Sequence, residues 1–190
     1  MRCKTITTIL LLCLFFTSCH ISKKEEENKN WKEYARDIIN SHINKSLNIP
    51  DSVIYYDYQK NDIDSIFNST IKIIFNVDID CTTCLMKFDY WNRFVKDIKN
   101  ECDYEVPILA YINSSSNENV HKSVNNLWAY AWVYDKAFHF IDKNKLYDNR
   151  FQVVLLDQNN KIRLIGNPLE NDVLGKLYKQ TIINHLKNEK

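Results

Sequence analysis

The stretch NVDIDCTTCLMKFDYW, residues 76–91, constrains the fold most, because an apolar run ends and a helical pattern begins within it. Residues 70–77 (TIKIIFNV) form a short, mostly apolar run, which is typical of a strand buried on both faces. Apolar residues then recur at spacings of three and four, which predicts a helix over 82–99. Cys81 and Cys84 lie at this junction. Three interpretations of the two cysteines are open at this point: a redox pair, half of a metal site, or an inert crosslink.

The N-terminus has the pattern of a secretory signal. Arg2 and Lys4 precede an apolar run over residues 6–16 that is too short for a comfortable membrane span. The run ends in FTSC, which resembles a bacterial lipobox, where a lipid is attached to cysteine and the signal is removed. We therefore predict a lipoprotein signal peptide over 1–18 and membrane anchoring through lipidated Cys19.

The residues after Cys19 are polar and charged. The sequence HISKKEEENKN predicts a solvated tether, so that 19–30 forms a segment of its own. Its acidic residues resemble surface-export signals of some outer-membrane bacteria. The predicted location is the bacterial cell envelope, either periplasmic or associated with the outer membrane, with surface exposure as a further option. The formal net charge of +1 argues against nucleic acid as a partner.

The remaining patterns predict alternating helices and strands. A helix over 31–47 and a strand over 52–58 form an N-terminal helix-strand extension (31–60), and 61–190 forms the main domain. Within that domain the elements are, in order, a loop over 60–70, strand 70–77, helix 82–99, strand 106–112, helix 118–135, a short helical stretch over 136–146, strands 151–157 and 161–166, and a helix from Asn167 and Pro168. A helix between the first two strands favours parallel, right-handed pairing. We therefore predict an α/β fold with a central mixed sheet flanked by helices.

This element order resembles thioredoxin-like proteins of the membrane-tethered TlpA/ResA type. The resemblance rests on the order, on C-x-x-C at the first strand-to-helix junction, and on the hairpin VVLLDQNNKIRLIG. It covers roughly residues 50 to 188, and the lipobox fits the same group. It implies a thioredoxin-like three-layer fold, thiol–disulfide exchange with protein disulfide clients, an electron-donating membrane thiol protein as partner, and no cofactor.

The chain departs from the family pattern at several positions. Asp80 stands where the family usually has an aromatic residue, and Thr82 and Thr83 replace the usual Gly-Pro. Phe75 occupies the position of a buried carboxylate, and Phe151 that of a cis-proline facing the cysteines. A cis bond before a non-proline residue costs about 3–4 kcal/mol, so we predict a trans bond there. The altered substrate groove is expected to involve Asp80, Thr82, Thr83 and Phe151.

The resemblance assigns catalysis to Cys81 as nucleophile and Cys84 as resolver. A helix N-terminus favours the thiolate of Cys81, whereas the neighbouring Asp80 opposes it. Cys84 lies one turn further and can release the client from a mixed disulfide. The family implies reduction, although the same pair run backwards is an oxidant.

Two other readings of the pair stay open. Cys81 and Cys84 can form a structural disulfide in a non-catalytic binding lipoprotein. Copper-delivery proteins of this fold use a cysteine pair and a distant histidine, for which His121 and His139 are candidates, but their pair is usually C-x-x-x-C. We therefore predict no metal ligand.

Two further features are read mainly as structural. Cys102 is predicted to be a buried small hydrophobe remote from the pair, with a regulatory thiol as the alternative. The aromatic stretch 127–140 is predicted to belong to the core, with Trp128, Trp132 and Phe138 as alternative flanks of a client groove.

Overall fold

The computed structural model describes residues 30–50, 54–56, 63–80, 82–114, 120 and 124–188, with only the backbone for 54–56, 82–86 and 188. The predicted signal peptide, Cys19, His121 and most of the tether lie outside these residues. By its internal contacts the chain divides into two units, residues 1–42 and 43–190. No helix among the described residues has the length and apolar character that crossing a membrane requires.

The first unit contributes helix α1, residues 30–42. The prediction of a helix to 47 is wrong at its end. Asn44 has a positive φ of 63°, and Ser46 pairs with Lys161 in an isolated antiparallel bridge. Residues 44–47 thus bond to another part of the second unit instead of continuing a helix.

The second unit is built on a six-stranded mixed sheet with the order β1-β4-β3-β2-β5-β6. Strands β2, β3 and β4 are parallel, β1 is antiparallel to β4, and β5 and β6 form an antiparallel hairpin beside β2. The strands are β1 Ile54–Tyr56, β2 Ile71–Asp78, β3 Ile108–Asn113, β4 Ala131–Tyr134, β5 Val153–Asp157 and β6 Ile162–Ile165.

Helices cover both faces of the sheet and form three layers with it. The helices of this unit are α2 Ile63–Asn68, α3 Thr82–Cys102, α4 His139–Asn144 and α5 Asp172–Asn188, together with a 3-10 turn Asn149–Phe151 and helical residues at 120 and 124–127. Apolar residues of α3 and α5 share one core cluster with alternate residues of β2. On the other face Phe140 of α4 stacks on Tyr111 of β3, with ring centroids 4.5 Å apart. The predicted three-layer α/β fold with a mixed central sheet is confirmed.

Strand β4 corrects the predicted helix over 118–135. Residues 131–134 (AWVY) are all buried and pair in parallel with β3. A strand covered on both faces shows no alternation of polar and apolar residues, so its run of apolar residues also fits a helix. The strand predicted over 52–58 shares this sheet, because Ile54–Tyr56 pairs with β4. The boundary placed at residue 60 between extension and domain stays a prediction.

Helix α2 lies where a loop was predicted. A buried lysine of the next strand binds the carbonyl oxygens at the C-terminal end of this helix. Lys72 in β2 is fully buried and its Nζ donates hydrogen bonds to the carbonyl oxygens of Phe67 (2.7 Å) and Ser69 (3.0 Å). These carbonyls lie at the helix C-terminus and have no partner within the helix. Burial lowers the pKa of Lys72 from 10.5 to about 8, and the charge of Asp157 partly opposes this.

Helix α5 begins at Asp172, five residues later than predicted. The side-chain oxygen of Asn171 accepts hydrogen bonds from the backbone N–H groups of Val173 (3.0 Å) and Leu174 (3.1 Å) and so caps the helix. Gly166, in the preceding turn, has a φ of +116°.

Candidate functional site

The two cysteines follow β2 in the chain: Cys81 directly precedes helix α3, and Cys84 is the third residue of that helix. Strand β2 ends at Asp78 and helix α3 begins at Thr82, so the predicted strand-to-helix junction is confirmed. Cys81 itself lies outside the described residues. For Thr82, Thr83 and Cys84 the structure describes the backbone only. Whether the two sulfur atoms are bonded stays a prediction.

An open groove of about 510 Å³ borders this junction. The carboxyl half of β2, the early turns of α3, the loops around α4 and the residues before α5 form its walls. Five aromatic rings line it, from Phe75, Phe88, Trp91, Phe138 and Tyr147.

Residues on both sides of the cysteine pair line this groove. Asp78 precedes the pair, and Lys87, Phe88 and Trp91 follow it in α3. Position 84 precedes Lys87 and Phe88 by three and four residues, the spacing of neighbours on one helix face. The groove therefore runs along the helix face that carries position 84.

The floor of the groove is aromatic where the family pattern expects a buried carboxylate. Phe75 is 2% exposed and stacks on Trp91, with centroids 4.8 Å apart. The rings of Trp128 and Phe75 form a T-shaped contact, with their centroids 5.4 Å apart. No acid can act from this position, and among the described residues the carboxylates that line the groove are Asp78 and Glu170.

The start of β5 supplies a polar wall. Phe151, predicted to belong to the groove, ends the 3-10 turn and is buried, whereas its neighbours Gln152 and Val153 line the groove. The backbone oxygen of Gln152 accepts from the N–H of Asn76 (2.9 Å), and their side-chain amides also bond at 3.1 Å. Every peptide bond of the described residues is trans, as predicted for Phe151.

Asp80, next to Cys81 in the chain, is held by the end of β3. Its carboxylate accepts a hydrogen bond from the hydroxyl of the buried Ser114 at 2.7 Å, and its backbone N–H donates to Asp78 at 3.0 Å. Ser114 is fixed in turn, because its carbonyl oxygen accepts from the hydroxyl of Tyr134 at 3.1 Å. The carboxylate predicted to oppose the thiolate thus has a defined partner.

A buried carboxylate organises the loop that enters α4. The side chain of Asp135 accepts from the backbone N–H groups of His139 (2.9 Å) and Phe140 (2.8 Å) and contacts Nδ1 of His139 at 3.0 Å. Asn113 donates to the backbone oxygen of Asp135. Phe138, within this loop, has left-handed backbone angles and lines the groove.

The rim of the groove carries one ion pair. Lys87 Nζ lies 2.6 Å from a carboxylate oxygen of Glu170, and both side chains are partly exposed. Asp78 adds a second carboxylate to the lining. Among the described residues, the charged groups in the lining therefore comprise two carboxylates and one ammonium group.

Cys102 lies far from the groove. It is the last residue of α3, eighteen residues after position 84, which corresponds to about 27 Å along a helix. Its side chain is partly buried and its Sγ donates to the carbonyl oxygen of Ile98 at 3.1 Å. The predicted distance from the pair is confirmed, but α3 includes Cys102 instead of ending before it.

The other residues considered for the site divide into those that line the groove and those that belong to the core. Of the three aromatic residues considered as groove flanks, Phe138 lines the groove, whereas Trp128 and Trp132 are 1% exposed and belong to the core. Within the described ranges, no group of three or more His, Cys, Asp or Glu side chains is arranged to bind a metal ion. Sequence reasoning missed Tyr147, Gln152 and Glu170, because tertiary folding alone brings these loop residues to the groove.

Comparison with solved structures shows what the fold resembles. A putative protein disulfide isomerase from Bacteroides thetaiotaomicron aligns with a TM-score of 0.57 and 17% identity over 77% of this chain and 91% of that chain. A secreted thiol-disulfide isomerase from Corynebacterium glutamicum aligns with a TM-score of 0.51 and 14% identity over 75% of this chain and 98% of that chain. The mitochondrial 2-cys peroxiredoxin from Plasmodium falciparum aligns with a TM-score of 0.52 and 16% identity over 78% of this chain and 98% of that chain.

These similarities confirm the predicted thioredoxin-like fold. No protein-family model matches the chain. No curated protein matches it either. Identities this low are evidence for the fold, and the chemistry has to be argued from the site.

Proposed function

We propose that this protein is a lipid-anchored thiol–disulfide oxidoreductase of the bacterial cell envelope, in which Cys81 is the nucleophile and Cys84 the resolving thiol. One observation carries the proposal: an open groove is lined by Asp78, three residues before Cys81, and by Lys87 and Phe88, three and four residues after Cys84. We therefore expect a client disulfide bound in that groove to be within reach of the pair. The direction proposed is reduction of protein disulfides, by analogy with the TlpA/ResA type.

The reaction consists of two exchange steps. The Cys81 thiolate attacks one sulfur of the client disulfide, that bond breaks, and the other client sulfur leaves as a thiolate that takes up a proton. The Cys84 thiolate then attacks the Cys81 sulfur, which releases the second client thiolate and leaves a Cys81–Cys84 disulfide. Two electrons have passed to the client. A membrane thiol protein restores the reduced pair by the same chemistry.

Two features of the chain bear on the reactivity of the pair. Backbone N–H groups at the start of α3 and the helix dipole favour a thiolate at Cys81. The Asp80 carboxylate opposes it, and the Ser114 hydroxyl draws part of that charge into a hydrogen bond.

The second candidate function is a non-catalytic binding lipoprotein with a structural Cys81–Cys84 disulfide. Phe75 favours it, because the acid that would take up protons is replaced by a ring packed between Trp91 and Trp128. In this case the groove binds a partner, and the disulfide serves only as a structural crosslink at the start of α3.

The reduction potential of the pair distinguishes these two functions. The purified protein in detergent is equilibrated in graded dithiol buffers, free thiols are alkylated, and mass shifts count them. A midpoint of roughly −120 to −270 mV, within the range of working exchange proteins, supports the oxidoreductase. A midpoint below about −300 mV with slow exchange refutes it and favours the structural disulfide.

Three serine variants test the role of each thiol, two in the pair and one as a control. Cys81→Ser is expected to abolish reduction of insulin, and Cys84→Ser is expected to trap a mixed disulfide with the client. Cys102→Ser is the matched control, because Cys102 lies at the far end of α3, and it is expected to keep full activity.

A further inference from the structure

We propose that Phe138 is a specificity-determining residue: its ring selects clients that carry an uncharged, apolar side chain beside the disulfide, while carboxylates that line the same groove disfavour small anionic disulfides. This inference rests on the proposed function. It concerns the same groove but a property that the cysteine pair does not determine, namely which disulfides enter it.

Phe138 has an unfavourable backbone conformation for its type. Its φ and ψ are 56° and 29°, in the left-handed region. Glycine and asparagine adopt this region readily, whereas a bulky aromatic residue there is an outlier. Such residues persist where surrounding contacts hold the backbone, and they are concentrated at binding sites.

The surrounding contacts do hold it on both sides. The N–H of Phe138 donates to the backbone oxygen of Asp135 at 3.2 Å, and its own carbonyl oxygen accepts from Asp142 at 3.0 Å. The next two N–H groups are bound by the carboxylate of Asp135, which is 1% exposed. These hydrogen bonds are made by backbone groups of the loop and by Asp135, and they do not involve the side chain of residue 138.

The fold covers Phe138 only in part. Phe138 is 41% exposed, whereas Phe140, two residues later, is completely buried. Phe138 lines the groove, together with Tyr147, which is 67% exposed. These two partly uncovered aromatic residues and the aromatic floor give the groove apolar surface that a side chain of a client can cover.

Charge identifies the kind of occupant. The lining contains two carboxylates, of Asp78 and Glu170, and one ammonium group, of Lys87, which is already paired with Glu170. An anionic disulfide would meet excess negative charge and no free cation among the described lining residues. A neutral apolar side chain of a polypeptide meets the exposed rings instead.

The test compares three oxidised substrates. Two are hexapeptides that differ in one residue, leucine or aspartate, next to a cysteine in a mixed disulfide with a chromophoric thiol. The third is oxidised glutathione, an anionic disulfide. Wild-type protein is expected to have a kcat/KM about tenfold higher for the leucine peptide than for the aspartate peptide, and lowest for glutathione.

Phe138→Asn removes the ring and keeps a residue suited to the left-handed conformation. It is expected to lose most of the leucine preference through a higher KM, to keep its rate with glutathione, and to unfold no earlier than wild type. The matched control is Tyr90→Ser, because Tyr90 is 56% exposed but outside the groove. The control is expected to keep the preference. An unchanged preference in Phe138→Asn, or a large loss of its thermal stability, overturns the inference.

A binding measurement distinguishes failure of this inference from failure of the proposed function. The same peptides with serine in place of cysteine cannot exchange, and fluorescence anisotropy measures their binding. If exchange is absent but the leucine peptide binds more tightly than the aspartate peptide only when Phe138 is present, the oxidoreductase proposal fails and the inference stands. If exchange occurs without a leucine preference, the inference alone fails.

Discussion

Replacement of Lys72 by methionine is expected to change how stability depends on pH, because this lysine is buried. Methionine has a similar length and fits an apolar site without a charge. The Nζ of Lys72 has no exposed surface and binds the carbonyl oxygens of Phe67 and Ser69. A neutral amine keeps two N–H donors, so both hydrogen bonds persist after deprotonation.

The magnitude follows from the lowered pKa. The pKa of Lys72 falls from 10.5 in the unfolded chain to about 8 in the folded protein, because burial disfavours the charge. This difference corresponds to about 3 kcal/mol. Below about pH 8 both states are protonated and the full penalty of burying the charge is present. Between about pH 8 and 10.5 the unfolded state binds more protons, so stability rises with pH.

Urea unfolding followed by tryptophan fluorescence, at several pH values across this window, measures the effect. The free energy of unfolding of wild type relative to Lys72→Met is expected to rise by up to about 3 kcal/mol from the lower to the upper end. Burial also raises the pKa of Tyr178, but that contribution is common to both proteins and cancels in their difference. Lys96→Met, at an exposed position of α3, serves as the matched control.

Parallel stability curves for wild type and Lys72→Met would refute the reasoning. They would mean that the lysine keeps its ordinary pKa, and hence that its amine reaches water in the folded protein. A rise of similar size in the Lys96→Met comparison would equally show that burial is not the cause.

Two further predictions concern the turn before α5 and the turn before β5. Gly166→Ala is expected to lower the free energy of unfolding by about 1–3 kcal/mol. The reason is that residue 166 has a φ of +116° and that an added Cβ would lie 2.9 Å from Cδ2 of Leu174. An unchanged melting temperature would contradict this prediction. Hydrogen bonds from Arg150 hold the pKa of Asp148 below its usual value, so its contribution to stability is present above that value and is lost as the pH falls. The stability difference between wild type and Asp148→Asn should therefore shrink on acidification from about pH 6 to about pH 3, and a constant difference in urea unfolding would speak against the ion pair.

The sequence predicted the centre of this fold well. Strand β2, helix α3 and the hairpin of β5 and β6 were found within a few residues, because each has a local signal: an apolar run, a helical spacing or a polar turn. The site at the junction of β2 and α3 followed from the same signals. Local patterns alone were therefore sufficient to predict the junction of β2 and α3, at which Cys84 stands in the first turn of the helix.

The elements that were missed depend on tertiary contacts. Strand β4 is buried on both faces and lacks a period of its own. Helix α2 has six residues, too few to be stable alone, and its last carbonyls depend on Lys72 from the next strand. Phe138 was named only as an alternative flank, since its left-handed backbone depends on Asp135 and no local pattern reports it.

The hydrogen bonds of residues 44–47 have a consequence for recognition. They occupy the outer side of β6, where the N–H groups of Asn44 and Leu47 donate to Ile162 and Asn160 and Lys45 accepts from Ile162. The opposite edge strand, β1, is described over Ile54–Tyr56. Addition of a peptide as a further strand, a common mode of peptide capture, therefore finds the edge at β6 already occupied by the chain itself. An extended peptide that binds this domain is expected to be recognised through its side chains, so its affinity should depend on sequence more than on backbone pairing.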